Sequence, residues 1–455
     1  MDLSGFLSVI QVKRLEVQTD PQDTSCYSYD ASNLESLPAA VIFVKNTQEV
    51  STVLEAANYF KIPVTPRGAG TSLAGGTIVA PGGVVLSLTQ MNKILEIDEE
   101  NLTATVQPGV ITFDLHRAVE KLGLFYPPDP GSVKMSTLGG NIAVNAGGPH
   151  CFKYGVTKDY VLGMEVVQAN GKVIRFGGKY IKNVSGLDLG SLFIGSEGIL
   201  GVVTEATLRL IPLPEIQRTL LAVYNDLDAA SETVSDIVRN KIVPATLELM
   251  DQVSMQLIEK ARPANLPLDA AAGLLIAVDG PADQVAKEMK VVEAICLRNG
   301  AREVRVARDD AEQEKLWEGR RSANGAMSQN CKAFIVEDTS VPRTMLPEMV
   351  RRIKEIAGRY NIPCAVLGHS GDGNVHPHLL LQELTEDEWA RADKAVDEIF
   401  RAALDLGGTL TGEHGIGLVK KKYLNWQFSS DALELMRLLK VTLDPNNILN
   451  PNVLL

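Results

Sequence analysis

The sequence predicts an α+β protein with two main domains, and three observations carry this prediction. In roughly the first 214 residues, short apolar runs alternate with glycine-rich loops, whereas amphipathic helices alternate with strands from Glu215 onward. The chain has 455 residues, a length that suits two or three folding units. Its hydrophobic content of 45% and charged content of 22% are ordinary for a globular protein with an ample core.

The first domain is predicted from helix, strand and loop signals that follow one another closely. In "TQEVSTVLEAANYF" the apolar residues recur at helical spacing, namely Val50, Val53, Leu54, Ala57 and Phe60. Pro63 then ends the helix, and "IPVTP" predicts a short strand. "GGVVLSL" predicts a buried strand, "ILEIDEENLTATVQPGV" two strands around an acidic turn, and "GKVIRFGGK" and "GVVTEATLRLIP" further strands.

The second domain is predicted to start after two closely spaced prolines, Pro212 and Pro214. "LDAASETVSDIVRN" and "ADQVAKEMKVVEAICLRNG" are amphipathic helices, and "GLLIAVD" is a buried strand. The tail "LDPNNILNPNVLL" is rich in turns and carries apolar residues, so we expect it to pack back onto the body of the protein. The predicted divisions are an N-terminal segment 1–35, a first domain 36–214, a second domain 215–410 and a C-terminal segment 411–455.

The net charge of −12 and the pI of about 5.2 argue against nucleic acid as a main partner. The N-terminus "MDLSGFLSVI" lacks the basic region of a signal peptide, and no apolar run reaches membrane-spanning length. The five cysteines are scattered without a C-x-x-C pair, which is typical of reduced thiols rather than disulfides or an iron–sulfur site. A cytoplasmic location is therefore expected.

Three glycine-rich loops predict a site for an extended diphosphate ligand. They are Arg67–Gly76 ("RGAGTSLAGG"), Pro127–Gly148 and Gly195–Glu205. Glycine lets the backbone approach a ligand closely, and successive N–H groups form a nest for an anion. The first loop lacks the Gly-Lys-Ser/Thr ending of a P-loop, and its glycines do not fit the dinucleotide fingerprint. A single loop of this kind is more often only a turn, so the prediction depends on all three.

Four of the six histidines lie in two short glycine-rich segments, "GHSGDGNVHPH" and "TGEHGIG". The first segment indicates strand, tight turn and strand, so His369 and His376 can converge across the turn, with His378 on the same strand face as His376. Two imidazoles and one carboxylate make a divalent metal site with open positions, and Glu413 is the obvious carboxylate. The alternative is that these are structural histidines bonded within the turn.

The order of the motifs "PRGAGTSLAGG", "STLGGNIAVNAGG" and "GSEGILGVVTEATLRL" resembles the FAD-binding domain of the vanillyl-alcohol-oxidase superfamily. More narrowly, the chain resembles the branch of D-lactate dehydrogenases, glycolate oxidase large subunits and D-2-hydroxyglutarate dehydrogenases. The resemblance implies a two-lobed PCMH-type domain that binds FAD noncovalently. It also implies an α+β cap domain with an antiparallel sheet, and a C-terminal tail that returns to the FAD domain.

The resemblance implies that FAD lies along the glycine-rich loops. The pyrophosphate would contact Arg67, Gly68, Ala69, Gly70, Thr71 and Ser72. The flavin would lie along Ser132, Thr137, Gly140, Asn141, Asn145 and Gly147, and the adenosine end near Gly198 and Val203. Further cofactor contacts are implied for Gly75, Pro108, Gly109, Asp129, Tyr154, Gly155, Glu413 and Asn450.

The same resemblance assigns catalytic roles. His369, His376 and Glu413 would bind a divalent metal (zinc, iron or manganese), and His414 would be the catalytic base. Arg320 would hold the substrate carboxylate, although an Arg-Arg pair such as Arg320-Arg321 more commonly forms surface ion pairs. His378 stands where dicarboxylate-using relatives commonly have asparagine, so it is a candidate substrate contact.

The predicted reaction is oxidation of D-lactate to pyruvate, with electrons passed to an electron-transfer flavoprotein or an iron–sulfur subunit. Dicarboxylate-using relatives have a lysine where this chain has Val336, and losing that cation favours a short monocarboxylate. The alternatives are a glycolate oxidase large subunit and a D-2-hydroxyglutarate dehydrogenase. From other classes, the alternatives are an FAD subunit that only relays electrons and a metal hydrolase without flavin.

Overall fold

A computed structural model describes residues 1–455, and the chain divides into two compact units. The first unit consists of residues 1–147, 156–213 and 413–455, and the second of residues 148–155 and 214–412. The unit boundaries therefore fall after residues 213 and 412, where the sequence predicts boundaries after 214 and 410. No helix in the structure is both long enough and apolar enough to cross a membrane.

The helices and strands are numbered in chain order. The strands are β1 (Glu16–Gln18), β2 (Ala40–Phe43), β3 (Val64–Arg67), β4 (Val84–Ser87), β5 (Ile94–Asp98), β6 (Thr103–Val106), β7 (Leu124–Phe125), β8 (Val161–Val167), β9 (Val173–Gly177), β10 (Val202–Arg209), β11 (Ile211–Pro212), β12 (Ile216–Tyr224), β13 (Thr246–Asp251), β14 (Ala272–Gly280), β15 (Ala301–Val306), β16 (Ala333–Val336), β17 (Thr339–Ser340), β18 (Cys364–His369) and β19 (Asn374–Leu381). The α-helices are α1 (Leu3–Val12), α2 (Pro21–Thr24), α3 (Thr47–Phe60), α4 (Thr112–Glu120), α5 (Leu138–Val144), α6 (Cys151–Tyr154), α7 (Gly190–Phe193), α8 (Leu227–Arg239), α9 (Gln252–Ala261), α10 (Ala282–Arg298), α11 (Asp310–Arg321), α12 (Ala323–Ser328), α13 (Leu346–Arg359), α14 (Glu386–Asp405), α15 (Leu424–Gln427) and α16 (Ser430–Leu443).

The first unit contains two larger sheets. One has the order β1-β2-β4-β3, in which β4 pairs in parallel with β2 and β3, and the other is an antiparallel sheet of order β5-β6-β10-β8-β9. Strands β7 and β11 form a separate two-stranded sheet. Apolar residues of α1 and α3 share a buried core with β2, β3 and β4, since the helices bury one face against the sheet.

Helix α3 shows how the local sequence fixes an element. The Asn46 side chain caps its first turn by accepting the Glu49 N–H at 3.0 Å. The helix ends where Lys61 turns left-handed (φ 56°), two residues before Pro63. The predicted helical face is buried at Val50, Val53, Leu54 and Ala57.

The C-terminal segment packs within the first unit. After α16, the Val64 N–H donates to the Ile448 carbonyl at 2.7 Å, so the tail extends the edge of β3. The buried ammonium of Lys440 donates to the carbonyl oxygens of Ile199 at 2.9 Å and Leu449 at 2.7 Å, and contacts Asp444 at 2.5 Å. The C-terminal segment is therefore part of the first unit.

The second unit is built on an eight-stranded sheet whose pairs are all antiparallel. Its order is β15-β12-β14-β13-β18-β19-β16, and β17 pairs with β19. Strands β13, β18 and β19 are buried along their whole length. In the register of β13 and β18, Glu248 lies directly opposite His369. A pairing of residues far apart in sequence thus places a carboxylate beside a predicted metal ligand.

Candidate functional site

In the first unit the structure brings the glycine-rich loops together. A Cβ at Gly68 would lie 2.2 Å from Thr137 Oγ1, so these two loops approach this closely only because residue 68 is glycine. The Gly139 N–H donates to the Pro108 carbonyl at 2.8 Å, and the Glu197 N–H donates to the Ala143 carbonyl at 2.7 Å. Loops that are far apart in sequence therefore line one region of this unit.

The Arg67 side chain has a structural role in this unit. Its guanidinium donates to the Tyr29 carbonyl at 2.7 Å and to Thr77 Oγ1 at 3.2 Å, and it is almost fully buried. Burial lowers the pKa of Arg67, although Asp30 acts in the opposite direction. A pyrophosphate contact in this loop would therefore involve the backbone after Arg67, where Ala69 is exposed.

Several polar side chains predicted along the flavin are bonded inside the first unit. Thr137 caps α5 by accepting the Gly140 N–H at 3.3 Å. The Asn141 amide donates to Thr112 Oγ1 at 2.7 Å, and Asn145 Oδ1 accepts the Lys158 N–H at 2.9 Å. These side chains shape the loop, while the backbone of Gly140 stays exposed.

Asn450 joins three segments of the first unit. Its amide donates to the carbonyls of Gly76 at 2.9 Å and Glu197 at 2.8 Å, and its Oδ1 accepts from Thr65 at 3.2 Å. Gly198 lies beside it, with a positive φ of 75°. The same unit holds the other cofactor residues predicted from the resemblance, namely Gly75, Gly109, Asp129, Ser132, Gly147 and Val203.

Tyr154 and Gly155 belong to the second unit, unlike the other loop residues predicted to contact FAD. The Tyr154 hydroxyl donates to Asp279 Oδ2 at 2.7 Å, and the neighbouring Lys153 forms an ion pair with the same carboxylate. Asp279 is buried on β14. These contacts fasten helix α6 to the sheet of the second unit.

Glu197 is a buried carboxyl that the sequence analysis did not single out. Its Oε1 accepts the Ile416 N–H and its Oε2 accepts the Gly417 N–H, each at 2.8 Å. Burial raises the pKa of Glu197 to about 7, against the lowering effect of these two hydrogen bonds and of Lys420. Glu197 thus holds the backbone that follows His414. An acidic residue inside the glycine-rich "GSEG" is the signal that could have revealed it.

In the second unit, the hairpin of β18 and β19 brings two histidines together. His369 lies opposite Asn374 and Leu367 lies opposite His376, so the two histidines are diagonal neighbours on one sheet face. Their ring centroids are 5.0 Å apart. The turn requires glycine at Gly373, which has φ 84° and where a Cβ would lie 2.1 Å from the Val341 carbonyl.

Glu248 is fully buried and contacts two predicted site residues. Its Oε1 lies 2.6 Å from His369 Nδ1, and its Oε2 lies 2.7 Å from Arg320 Nη2. Burial raises the pKa of Glu248, but His369 and Arg320 more than offset this effect, so the pKa lies below its usual value. The sequence analysis missed Glu248, although an acidic residue within the apolar "ATLELM" was an available signal.

Asp338 anchors the end of the second unit. Its Oδ1 accepts from the Asn374 amide at 2.7 Å, and its Oδ2 accepts from the Thr411 hydroxyl at 2.6 Å and the Gly412 N–H at 3.0 Å. His376 Nδ1 lies 3.8 Å from Asp338 Oδ1. The residue after Gly412 is Glu413, so the predicted ligand and base follow directly from this anchored position.

His378 is buried, and both its ring nitrogens have partners. Nδ1 lies 2.9 Å from the His376 carbonyl, which can only accept, so Nδ1 carries the proton. Nε2 lies 2.9 Å from Oδ1 of Asn324, and the ring stacks on Phe334. A substrate would reach a nitrogen of His378 only if one of these hydrogen bonds broke.

Two imidazoles of the second unit have the ligand chemistry that a divalent cation accepts. Because Glu248 accepts the proton on His369 Nδ1, the neutral form of the ring carries its lone pair on Nε2, as in histidines that ligate metals. His376 supplies a second imidazole on the same sheet face. Zinc, iron and manganese all accept such nitrogen ligands together with carboxylate oxygen.

Comparison with known proteins agrees with this geometry. Residues 213–454 match the family "FAD linked oxidases, C-terminal domain", and residues 38–177 match "FAD binding domain". The chain is 51% identical to the glycolate oxidase subunit GlcD of Bacillus subtilis, covering 93% of this chain and 91% of that protein. It is 37% identical to the D-lactate dehydrogenase of Archaeoglobus fulgidus, covering 90% of each. A solved structure of p-cresol methylhydroxylase superposes with a TM-score of 0.80 at 18% identity, covering 99% of this chain and 95% of that chain.

The fold and these matches define an FAD-linked oxidoreductase with a PCMH-type flavin domain followed by the C-terminal domain that accompanies it. The chain belongs to the family of FAD linked oxidases. The resemblance stated from the sequence, to the FAD-linked 2-hydroxy acid dehydrogenases, is confirmed, as are the α+β fold and FAD as cofactor.

Proposed function

We propose that this enzyme oxidises a short 2-hydroxy monocarboxylic acid to the corresponding 2-keto acid. The observation that carries the proposal is the contact of one buried carboxylate, Glu248, with both His369 and Arg320. A cation can bind the hydroxyl oxygen of a 2-hydroxy acid, and a guanidinium can bind its carboxylate. The names of the relatives, a glycolate oxidase subunit and a D-lactate dehydrogenase, support the same substrate class.

In this proposal Arg320 binds the substrate carboxylate. A guanidinium has five N–H donors, and the ion pair with Glu248 uses one end of the group. Arg320 Nε is buried without a hydrogen-bond partner. A substrate carboxylate beside Arg320 would accept hydrogen bonds from the remaining N–H donors. An arginine in a surface ion pair would instead donate these hydrogen bonds to water.

The proposed metal ligands are His369, His376 and Glu413, and the proposed base is His414. Glu413 follows Gly412, whose backbone Asp338 holds, so the Glu413 Cα lies about 3.8 Å from the Gly412 Cα. His414, whose Nε2 lies 3.8 Å from Glu413 Oε1, would take the proton of the substrate hydroxyl. When bound, a divalent cation lowers the pKa of a hydroxyl that it contacts, and FAD accepts the two electrons.

The proposed FAD site is the region where the glycine-rich loops meet. The backbone of Gly68–Ser72 would hold the pyrophosphate, and the loop around Gly140 would lie along the flavin. Close packing of Gly68 on Thr137 and of Gly139 on Pro108 supports this proposal, because it brings these loops together. Asn450 and Glu197 would hold these loops in place.

Val336 supports a short substrate. It lies opposite His378 in the sheet and is only partly buried. An apolar side chain there offers no cation for a second carboxylate, which disfavours 2-hydroxyglutarate. Two substrates with a single carboxylate fit this site. D-lactate is the substrate predicted from the sequence, and glycolate is the substrate in the name of the relative at 51% identity.

We further propose that the electrons leave to a partner protein in the cytoplasm, either an electron-transfer flavoprotein or an iron–sulfur subunit. The word "subunit" in the name of the Bacillus subtilis relative supports a partner chain. An FAD subunit that only relays electrons would not require Arg320, His369 and His376 in one unit, so this alternative is disfavoured.

The test is an anaerobic titration of the purified, FAD-loaded protein with D-lactate, L-lactate, glycolate and D-2-hydroxyglutarate, followed by loss of flavin absorbance. We expect D-lactate or glycolate to bleach the flavin fastest, and bleaching to slow when a chelator removes metal. If none of the four acids bleaches the flavin of metal-loaded protein, the proposed oxidation is wrong and electron relay is favoured. Full activity in a verified metal-free preparation would show that the reaction does not require the proposed metal.

A further inference from the structure

Glu248 lies in the middle of β13, between two groups that the proposed function uses for different tasks. Its side chain has no exposed surface, and its two oxygens have different partners, His369 Nδ1 at 2.6 Å and Arg320 Nη2 at 2.7 Å. His369 is the residue directly opposite it in the neighbouring strand, so the backbone register itself sets this contact. Arg320 comes from α11 and reaches the same carboxylate.

The contact with His369 determines which ring nitrogen can bind a cation. A carboxylate only accepts hydrogen bonds, so Nδ1 carries a proton, and in the neutral ring the lone pair is then on Nε2. Without this acceptor the ring could turn, or exchange its proton between the nitrogens. Carboxylates that accept from a ligating histidine fix its orientation, and removing them typically weakens metal affinity about 10- to 100-fold.

The contact with Arg320 neutralises the buried charge and fixes the guanidinium. An ionised carboxylate with no exposed surface needs a compensating cation, and Arg320 is the cation in contact with it. The Arg320 side chain is itself only 13% exposed. With one end held, the guanidinium loses little further rotamer freedom when a second carboxylate binds.

We propose that Glu248 is a positioning residue that links cation binding at His369 to carboxylate binding at Arg320. This inference rests on the proposed function. The two binding sites share one buried carboxylate, so removing the Glu248 side chain weakens both. Loss of Arg320 weakens the cation site, because Glu248 is then held from one side only.

Glu248→Gln tests the link with little change in volume. The amide has one acceptor and one donor, so it can satisfy either His369 Nδ1–H or Arg320, but it faces the other with a donor. Glu248→Ala removes both contacts. Asp251→Asn is the matched control, since Asp251 is also buried on β13 and paired with a cation, Lys354, but faces the opposite side of the sheet.

The experiment measures two equilibria on FAD-loaded protein without turnover. Equilibrium dialysis gives the Kd of Mn²⁺ alone, and perturbation of the flavin spectrum gives the Kd of pyruvate. For Glu248→Ala we expect both constants to rise at least about tenfold. For Glu248→Gln we expect at least one to rise about tenfold, and for Asp251→Asn both to stay within about twofold. For Arg320→Gln we expect the Mn²⁺ constant to rise severalfold.

The proposal is overturned if Mn²⁺ binds Arg320→Gln as tightly as the unaltered protein. This measurement tests the proposal even if the Glu248 variants do not fold. Unchanged constants in folded Glu248→Gln would overturn it as well. Failure of the proposed function has a different signature, since the unaltered protein would then bind Mn²⁺ and pyruvate without any 2-hydroxy acid bleaching its flavin.

Discussion

At the scale of single residues, the candidate site depends on buried carboxylates that hold backbone and side chains around it. Glu197, Glu248 and Asp338 are all nearly or fully buried, and each has at least two hydrogen-bond or ion-pair partners. Removing one partner of such a group costs more than the bond itself, because the other partner stays buried and unsatisfied. We therefore expect substitutions at these residues to act on stability and function together.

The raised pKa of Glu197 predicts a pH-dependent contribution to stability. Because its pKa rises to about 7 in the folded protein from 4.5, the folded state binds more protons than the unfolded state between these values. The free energy of unfolding contributed by Glu197 is therefore largest at low pH and falls by about 1.4 kcal/mol per pH unit across this window. Urea denaturation at pH 5 and pH 7, followed by flavin fluorescence, measures the change.

Glu197→Gln is the comparison for that prediction. The amide cannot titrate, and its NH2 group must face one of the two N–H donors of Ile416 and Gly417. We expect the variant to lose about 1–3 kcal/mol at pH 5 and to show a smaller decrease between pH 5 and pH 7. An identical decrease in both proteins would show that Glu197 does not titrate in this range.

His414→Ala tests the proposed base directly. The variant should retain FAD, since the loops of the first unit that would hold it are unchanged, but flavin reduction by D-lactate or glycolate should slow about 100- to 10,000-fold. Stopped-flow absorbance under anaerobic conditions gives the rate, and the flavin spectrum before mixing gives the FAD content. Reduction at the unaltered rate would remove His414 from the mechanism.

The sequence predicted part of this residue-level organisation. The spacing around a glycine turn was enough to place His369 and His376 on one face, because strand side chains alternate and the turn is local. Glu248 could not be assigned to His369 in this way, since β13 and β18 are far apart in the chain and their register appears only after the sheet forms. Both partners of Arg67 likewise depend on tertiary packing.

At the scale of elements, the connection from the second unit into Glu413 and His414 depends on a close approach at Gly412. A Cβ there would lie 2.4 Å from the Asn374 amide nitrogen and 2.6 Å from Ser340 Oγ. Gly412→Ala should shift the following residues while the sheet stays intact. Because a displacement of about 1 Å near a reacting group can cost about 100-fold, we expect a comparable loss in flavin reduction rate.

The control for Gly412→Ala is Gly358→Ala. Gly358 lies in α13, is exposed, and has nothing within 4 Å of an added Cβ. Alanine there should leave the reduction rate unchanged and stabilise the protein by up to about 1 kcal/mol, since alanine favours the helix. Thermal denaturation measures the stability of both variants. Equal reduction rates for the two variants would show that the Gly412 approach does not position Glu413 and His414.

Individual elements were largely predictable, whereas the order of strands was not. Helix α3 has a capping residue, an apolar face and a following proline, which are all local signals. The strand order β15-β12-β14-β13-β18-β19-β16, with β17 beside β19, mixes early and late strands, and no local pattern specifies which of them become neighbours. The inclusion of residues 148–155 in the second unit also depends on contacts such as Tyr154 with Asp279, which lie far apart in sequence.

At the scale of the whole molecule, Lys440 is predicted to be essential for the C-terminal segment. Lys440→Ala would leave the fully buried Asp444 without its cation and two carbonyl groups without their donor. The cost of such an uncompensated buried charge is about 3–5 kcal/mol. We expect a lower melting temperature and loss of FAD during gel filtration, measured by the ratio of flavin to protein absorbance.

Lys172→Ala is the control, because Lys172 is an exposed lysine of the same unit. It should keep both the melting temperature and the FAD content of the unaltered protein. A Lys440→Ala protein that also keeps both values would show that the segment is held by its apolar residues, Ile448, Leu449 and Val453, rather than by the buried ammonium.

The pairing of the tail with β3 also has a consequence for biosynthesis. Val64 and Glu197 are synthesised long before their hydrogen-bond partners, Ile448 and Ile416 respectively. All of residues 214–412 are translated in between. The edge of β3 in the nascent first unit therefore stays unpaired while the second unit is translated. Completion of the first unit would then be a late event, reached only when residues 413–455 have left the exit tunnel.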